Sequence, residues 1–393
     1  MNNFRIKKTL LTILPTLFLL VGFSSCEESH VTPSELDENN TAIISQYVNN
    51  VVVETYASLA DESVALYNAC FVLYQNPTQA NVQTACDAWK SARKYWELSE
   101  AFLYGAAADY NIDPHIDSWP LDKAQLDLAL KNTTLIANMR ENGCNFDGFA
   151  TLGYGLLGFH AVEYILFRDG QARKMEGGVD TDGVTYAALS ETELIYCQAV
   201  AEDLRNQCIR LEASWAGLDN VNDEKQTILA DTELEPSMNY GEALITAGET
   251  GNILYKSQVA ALVQILQGAA DISDEVGNTK ITDPVNSGNV LDVESWYSWN
   301  SLADFADNIR SVRNVYLGTT DGTEHQYSVS SYVRGKDTTI DSNIKTAFSK
   351  AISEIESMPA PFRNNLTVAA SKSAVDACNE LLGTLDAAIE LIQ

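Results

Sequence analysis

Apolar residues recur at helical spacing along most of the chain. Between residues 40 and 75 they include Ile44, Val48 and Val51, and the pattern stops at Asn76-Pro77. Long alternation of apolar and polar positions, typical of strands, is absent from the sequence. The pattern therefore predicts an all-α fold. The further predicted helices span 78–108, a segment opened by Pro120, 155–167 with its close at Arg168-Asp169-Gly170, 191–216, 253–276, 294–317, 340–357 and 366–392.

Two parts of the chain are similar to each other. ASLADESVAL near residue 60 is similar to QGAADISDEV near residue 270, and residues 89–105 are similar to residues 299–318 in their tryptophan, arginine and closing tyrosine and glycine. The matches occur in the same order, which indicates duplication of a helical bundle. We therefore expect two bundles packed side by side. Their predicted ranges are 41–216 and 253–393, with a connection at 217–252.

The N-terminus has the order of a bacterial export signal. A basic start is followed by an apolar run from Leu10 to Phe23 that is too short to span a membrane. Ser24-Ser25-Cys26 resembles a lipobox, with Phe23 where leucine is typical. We predict a signal peptide at 1–25, a lipid on Cys26 and a tether at 26–40, which would place the protein on the periplasmic face or the surface of a bacterial outer membrane. The alternative is ordinary cleavage that leaves a cysteine.

The charge balance limits the classes of partner. The chain has 54 acidic and 25 basic residues and a formal net charge of −29. This argues against nucleic acid, because phosphates are bound through lysine and arginine. It is compatible with a protein that meets cations.

Six further cysteines allow several pairings. Cys197 and Cys208 lie on one predicted helix, roughly 16 Å apart at 1.5 Å per residue, which is too far for a bond. Cys70 and Cys86 could pair across the turn at Asn76-Pro77, and buried free thiols are an equally open alternative.

The stretch GLLGFHAVEYILF, residues 155–167, places an imidazole and a carboxylate in an apolar helix. His160 and Glu163 are three positions apart and share one helical face. Gly153, Gly155 and Gly158 lie just before them, and glycines in a helix suggest that another segment packs very close. Taken alone, such a pair is more often a structural hydrogen bond than a binding site.

A second polar face lies upstream. Arg93, Glu97, Glu100 and Tyr104 are spaced so that one continuous helix would bring them to one side. In a helical bundle, such carboxylates can meet a His-x-x-Glu pair at a shared metal ion. The donors suit iron, zinc or manganese. The alternative without a binding function is a salt bridge on a solvated surface.

The sequence GFHAVE, residues 158–163, reproduces the GxHxxE signature of the imelysin family. WKSARKYWELSEAFLYG followed by DPHIDSWP resembles one block of that family, and ESWYSWNSLADF (294–305) resembles another. DEVGNTKITDP (274–284) is also similar. The resemblance covers about residues 40–390.

The resemblance implies an all-helical protein of two repeats with the site near their interface. The family is classed with metallopeptidases, and its members include iron-regulated proteins and parts of bacterial iron-uptake systems. It implies His160, Glu163, Glu97 and Glu100 as ligands of an iron or zinc ion. Several relatives have a histidine after the residue that matches Glu294, whereas this chain has serine there. The supporting residues predicted around the ligands are Gly158, Arg93, Asp113, Asp117, Trp119, Glu294 and Ser298.

Three functions follow as hypotheses. The first is an envelope lipoprotein that binds a divalent or ferric ion, or a small ligand, in iron acquisition, with outer-membrane or other envelope proteins of a metal-uptake system as partners. The second is a metallopeptidase, although HExxH is absent and only His115 is a conceivable third ligand. The third is a ligand-binding or scaffold lipoprotein without metal.

Overall fold

A computed structural model describes residues 36–393. Cys26, the predicted signal peptide and most of the predicted tether lie outside the described residues. Within them, helices account for nearly all regular structure, which confirms the predicted all-α class. None of the helices between residues 36 and 393 is long and apolar enough to cross a membrane.

The chain begins with a long hairpin of helices. The side chain of Asp37 caps the first helix by accepting from the backbone N–H groups of Asn39 and Asn40. Thr78 caps the return helix in the same way. The helices are α1 (Glu38–Tyr47), α2 (Val53–Gln75) and α3 (Gln79–Glu97), and a π-helical turn (Val48–Val52) joins the first two.

The predicted helix at 78–108 is wrong beyond Glu97. Ser99 Oγ donates to the carbonyl of Trp96 at 2.6 Å, and Gly105 turns the chain at φ +68°. A 3₁₀ turn (Glu100–Phe102), α4 (Ala106–Asp109) and α5 (Ile112–Ile116) follow. The spacing of Arg93, Glu97, Glu100 and Tyr104 predicted that they share one helical face. That prediction is wrong, because the helix ends before Glu100.

Two further predicted helix starts are wrong. Pro120 follows Trp119 through a cis peptide bond and lies before α6 (Lys123–Ala129), which Asp122 caps; α7 (Thr133–Asn142) comes next. The apolar stretch from residue 155 becomes helical only at Gly158, because residues 154–156 form a 3₁₀ turn. The resulting helix is α8 (Gly158–Leu166).

Two small hairpins separate α8 from the longest helix of this half. They pair β1 (Phe167–Arg168) with β2 (Gln171–Ala172) and β3 (Gly178–Val179) with β4 (Thr185–Tyr186), both antiparallel. Helix α9 (Glu191–Ala216) starts at a capping box, since Ser190 and Glu193 satisfy each other's backbone N–H. It packs along α2 and α8.

The predicted connection at 217–252 carries two short helices that pack on α9. They are α10 (Asp223–Asp231) and α11 (Tyr240–Ile245). The division of the chain into two repeats at this connection stays a prediction.

The rest of the chain is a second set of helices. The predicted helix at 294–317 begins only at Ser301, because Ser295 and Trp299 adopt left-handed backbone conformations at φ +51° and +58°. The elements are α12 (Gln258–Glu275), a π-helical turn (Val276–Ile281), α13 (Thr282–Ser287), a 3₁₀ turn (Val290–Asp292), α14 (Ser301–Leu317), α15 (Val329–Lys336), α16 (Thr338–Glu356), a 3₁₀ turn (Phe362–Asn364) and α17 (Val368–Ile392).

The first set of helices, which precedes α12, meets the second set at the turn Glu100–Phe102. Helices α12 and α14 pack against this turn, and α3 packs against α14. A β-carbon at Gly268 would lie 2.2 Å from the carbonyl oxygen of Ala101, so only glycine allows this approach. The turn thereby carries Glu100 to the second set of helices.

The six cysteines of the described part are free thiols. This agrees with the second of the two alternatives given for Cys70 and Cys86. Cys70 lies not against Cys86 but against Cys197, with the sulfur atoms 3.7 Å apart. Cys86 donates to the carbonyl of Leu166 instead.

Candidate functional site

An acidic cleft opens where the two sets of helices meet. Its volume is about 520 Å³, and it lies between α5 with its following loop, the π-turn after α12, and the segment before α14. Of the described residues that line it, one, Lys280, is basic. The acidic residues are Glu100, Asp113, Asp117, Glu275, Asp283, Asp292 and Glu294.

His160 and Glu163 lie fully buried behind this cleft. His160 Nδ1 donates to Glu163 Oε2 at 3.1 Å. The other ring nitrogen, Nε2, lies 3.1 Å from Asp117 Oδ1 but makes no hydrogen bond with any described residue. Trp119 packs edge-on against the imidazole, with ring centroids 4.6 Å apart. The predicted pair is thus a hydrogen bond that also leaves one imidazole nitrogen facing the cleft wall.

Glu163 is tied to the second set of helices. Its Oε1 accepts from the backbone N–H of Tyr297 at 3.0 Å and from that of Ser298 at 2.8 Å, and Ser298 Oγ donates to it at 2.7 Å. Tyr297 and Ser298 lie in the segment before α14, between Ser295 and Trp299, whose φ angles are positive. Ser298 therefore supports the site by positioning Glu163.

Gly158 sets the distance between α8 and α5. It has φ +68°, and a β-carbon there would lie 2.0 Å from the carbonyl oxygen of Ile116. Any other residue would push α8 away from Asp117, which follows Ile116 directly. The glycine of the GxHxxE sequence is thus required by backbone contact.

Arg93 is the fully buried centre of the ion pairs. Its guanidinium contacts Asp117, Glu97 Oε1 at 2.5 Å and Glu294 Oε1 at 2.6 Å, and its Nε lies 3.7 Å from Asp304. Asp304 on α14 was not predicted from the sequence. It does lie in the block 294–305 that carries the family resemblance.

Lys280 is the second charged residue of the cluster that was not predicted from the sequence. It lies on the π-turn within the block 274–284. The resemblance of this block to the imelysin family is the feature of the sequence that could have pointed to it. Its ammonium is 3.6 Å from Glu100 Oε1, 3.4 Å from Glu294 Oε2 and 3.9 Å from Glu97 Oε2.

Burial and neighbouring charges shift several pKa values in the site. Burial lowers the pKa of His160, but Asp117 and Glu163 outweigh burial and raise it to about 9. Burial raises the pKa of Asp117, but Arg93 and His160 bring it below its usual range. Burial raises the pKa of Glu97 and of Glu100 despite their cationic neighbours. The imidazole is therefore charged at neutral pH and neutralises part of the carboxylate cluster.

Two groups of residues have the spacing of a metal site. Within each group, one ligand atom per residue lies within 4.8 Å of the others: Asp117, His160 and Glu294 in one, and Glu97, Glu100 and Asp117 in the other. Buried His160 Nε2 and Glu294 Oε2 make no hydrogen bond with residues 36–393, although the first lies 3.1 Å from Asp117 and the second 3.4 Å from Lys280. A nitrogen and carboxylate oxygens fit iron, zinc or manganese.

The structure brings all the predicted site residues of the described part to this region except the conceivable third ligand. His115 Nε2 donates to Asp203 Oδ2 at 2.7 Å, and its ring stacks on Tyr154; the three residues line a separate small cavity. Asp113 lines the cleft, and burial next to Asp117 raises its pKa to about 6. Glu163 belongs to neither group with metal-site spacing.

The chain is an all-helical protein with a buried His-x-x-Glu helix beside an acidic cleft. It belongs to the imelysin family, whose profile matches residues 52–388. This confirms the resemblance noted at GFHAVE.

Individual relatives extend over nearly the whole chain. Iron-regulated protein A of Synechococcus elongatus is 28% identical over 353 residues, which are 90% of this chain and 84% of that protein. The crystal structure of a putative iron-regulated protein A precursor from Parabacteroides distasonis is 29% identical, with a TM-score of 0.75 over 93% of this chain and 97% of that one. An imelysin-like protein from Psychrobacter arcticum shares the fold, at 14% identity and a TM-score of 0.57 over 90% of this chain and 93% of its own.

Proposed function

We propose that this imelysin-family protein binds a metal cation at the acidic cleft and serves iron acquisition in the cell envelope. One observation carries the proposal. Ligand atoms of Asp117, His160 and Glu294 lie within 4.8 Å of one another, where Asp117 and Glu294 line the cleft and His160 is buried behind it. An imidazole nitrogen and carboxylate oxygens that converge in this way are a suitable donor set for a transition-metal ion.

The chemistry of the set assigns a role to each residue. Asp117, His160 and Glu294 supply the ligand atoms. Glu163 accepts from His160 Nδ1, which leaves Nε2 for the cation; a carboxylate behind a ligating histidine is a recurrent arrangement in metal sites. Glu163 therefore serves as the residue that orients His160, in place of the direct ligand role predicted from the sequence. Because the pKa of His160 is about 9, binding at neutral pH releases a proton from its ring.

Iron is the cargo that the relatives suggest. Two of them carry the name iron-regulated protein A. The predicted lipid on Cys26 would hold the cleft at the outer membrane, where envelope proteins of an uptake system would deliver or receive the ion. These partners, the anchor and the location are part of the proposal.

Elemental analysis and calorimetric titration test the binding. Protein purified without chelator or affinity-tag metal is titrated with Fe(II) under anaerobic conditions, and with Zn(II). Glu294→Gln keeps the size of a ligand and removes its charge, so we expect its affinity to fall by about tenfold or more. Asp283→Asn removes the same charge from an exposed residue at the cleft that belongs to neither group, and we expect a much smaller change.

The proposal fails if wild-type protein takes up neither ion. It fails equally if Glu294→Gln and His160→Gln, shown to be folded by thermal melting, bind as tightly as Asp283→Asn.

A further inference from the structure

The ammonium of Lys280 lies among three carboxylates without a short bond to any of them. Its distances to Glu97, Glu100 and Glu294 run from 3.4 to 3.9 Å. Charge-assisted hydrogen bonds are usually about 2.7–2.9 Å long. The ammonium is therefore held by the summed field of the carboxylates, and its side chain is only 9% exposed.

These carboxylates include Glu294, a proposed ligand of the cation. Glu97 and Glu100 belong to one group with metal-site spacing, and Glu294 belongs to the other. Glu97 Oε1 is buried 2.5 Å from the Arg93 guanidinium, and Glu294 Oε2 is buried 3.4 Å from the Lys280 ammonium. Two cations a few ångströms apart in a buried site repel each other strongly. A metal ion and the ammonium therefore compete for these oxygens.

Lys280 lies on a segment from which its side chain can leave. The π-turn Val276–Ile281 forms one wall of the cleft, and π-turns inside helices occur often at functional sites. Glu275 lies one π-helical turn before Lys280 and also lines the cleft. A flexible four-carbon side chain can move from the buried carboxylates toward Glu275 without unfolding the turn.

We propose that Lys280 is a tethered cation that occupies the carboxylates of Glu97, Glu100 and Glu294 in the metal-free protein and leaves when a metal ion binds. This inference rests on the proposed function. The lysine lowers the affinity of the site and makes release of the ion easier. It also selects against Na⁺ and K⁺, because a single charge gains no electrostatic advantage over the ammonium it must displace.

Substitution of Lys280 tests the competition. Lys280→Met removes the ammonium and keeps the length of the side chain, so we expect Zn(II) and Fe(II) to bind about tenfold more tightly or better, a change of about 1.4 kcal/mol. Lys280→Arg keeps a tethered cation and should stay close to the wild-type affinity. Lys372→Met changes an exposed lysine on α17 and serves as the control. Unchanged or weaker binding by folded Lys280→Met overturns the inference.

Chemical labelling of wild-type protein gives a second test that does not depend on a variant folding. Lysines are acetylated with acetic anhydride with and without Zn(II), and the peptide that contains Lys280 is quantified by mass spectrometry. We expect the metal to raise the labelling rate of Lys280 and to leave that of Lys372 unchanged. If the metal binds and the labelling of Lys280 stays the same or falls, Lys280 does not leave, and only this inference fails. If wild type binds no metal at all, the proposed function fails with it.

Discussion

The charge state of His160 decides what the buried pair can do. With the pKa raised to about 9, the ring is an imidazolium that donates to Glu163 and faces Asp117. In that state it neutralises carboxylates, and after loss of a proton its Nε2 can bind a metal ion. Under the proposed function the same residue therefore stabilises the metal-free protein and binds the ion in the loaded one.

The stability contributed by His160 should depend on pH. The folded pKa lies above the ordinary value of about 6.5, so the contribution is complete below about pH 6.5 and is lost as the pH rises through about 9. We expect His160→Gln to lower the free energy of unfolding by up to about 3 kcal/mol more at pH 6 than at pH 10. Denaturant unfolding of wild type and variant without metal at both values measures this. A difference between the two proteins that does not change with pH would contradict the shift.

The ends of some helices could be predicted from the sequence, and the ends of others could not. The helices 191–216, 340–357 and 366–392 were predicted almost to the residue, because local caps such as Ser190 set their ends. The end of α3 at Glu97 was missed, because contacts with distant residues decide it: Ser311 Oγ accepts from the N–H of Ala101, and Gly268 packs on the Ala101 carbonyl.

The candidate site was predicted in part for the same reason. His160 and Glu163 could be found from their spacing and from the GxHxxE resemblance. The spacing of Arg93, Glu97 and Glu100 correctly placed these residues in the candidate site. The continuous helix on which that prediction relied was wrong, since α3 ends at Glu97. Lys280 and Asp304 could not be assigned roles, because only tertiary packing brings them to Arg93 and its carboxylates.

Two helix-interior glycines should respond to alanine in opposite directions. Gly268→Ala on α12 puts a β-carbon 2.2 Å from the Ala101 carbonyl, so we expect a loss of about 1–3 kcal/mol in the free energy of unfolding. Gly383 on α17 has no atom within 4 Å of such a carbon, and alanine there should stabilise by up to about 1 kcal/mol. Denaturant unfolding of both variants measures the pair. A stable Gly268→Ala with wild-type cation affinity would show that the contact can relax without disturbing Glu100.

At the scale of the whole molecule, the site depends on both sets of helices. Arg93, Asp117 and His160 come from the first, and Lys280, Glu294 and Asp304 come from the second. Ser298 and Tyr297 of the second hold Glu163 of the first. The functional chemistry therefore belongs to the assembled fold and to neither set alone.

We expect the protein not to cleave unfolded peptides. Glu163 accepts from Tyr297, Ser298 and His160, so it is not free to act as the base that activates a metal-bound water. His115 lies in another cavity and adds no ligand. Incubation of the purified protein and Zn(II) with fluorescent reduced casein, with and without chelator, measures this. Chelator-sensitive cleavage that disappears in folded Glu163→Gln would favour the peptidase hypothesis.

The span of the site in sequence also sets the time at which it forms. Arg93 and Glu294, which form one of its central ion pairs, are 201 positions apart. A ribosome releases Arg93 long before it reaches Glu294. Until the segment around Glu294 arrives, the arginine has Glu97 and Asp117 but lacks the carboxylate of Glu294, and the cleft lacks a wall. A chain still being made thus has no complete set of the proposed ligands until almost three quarters of the protein exists.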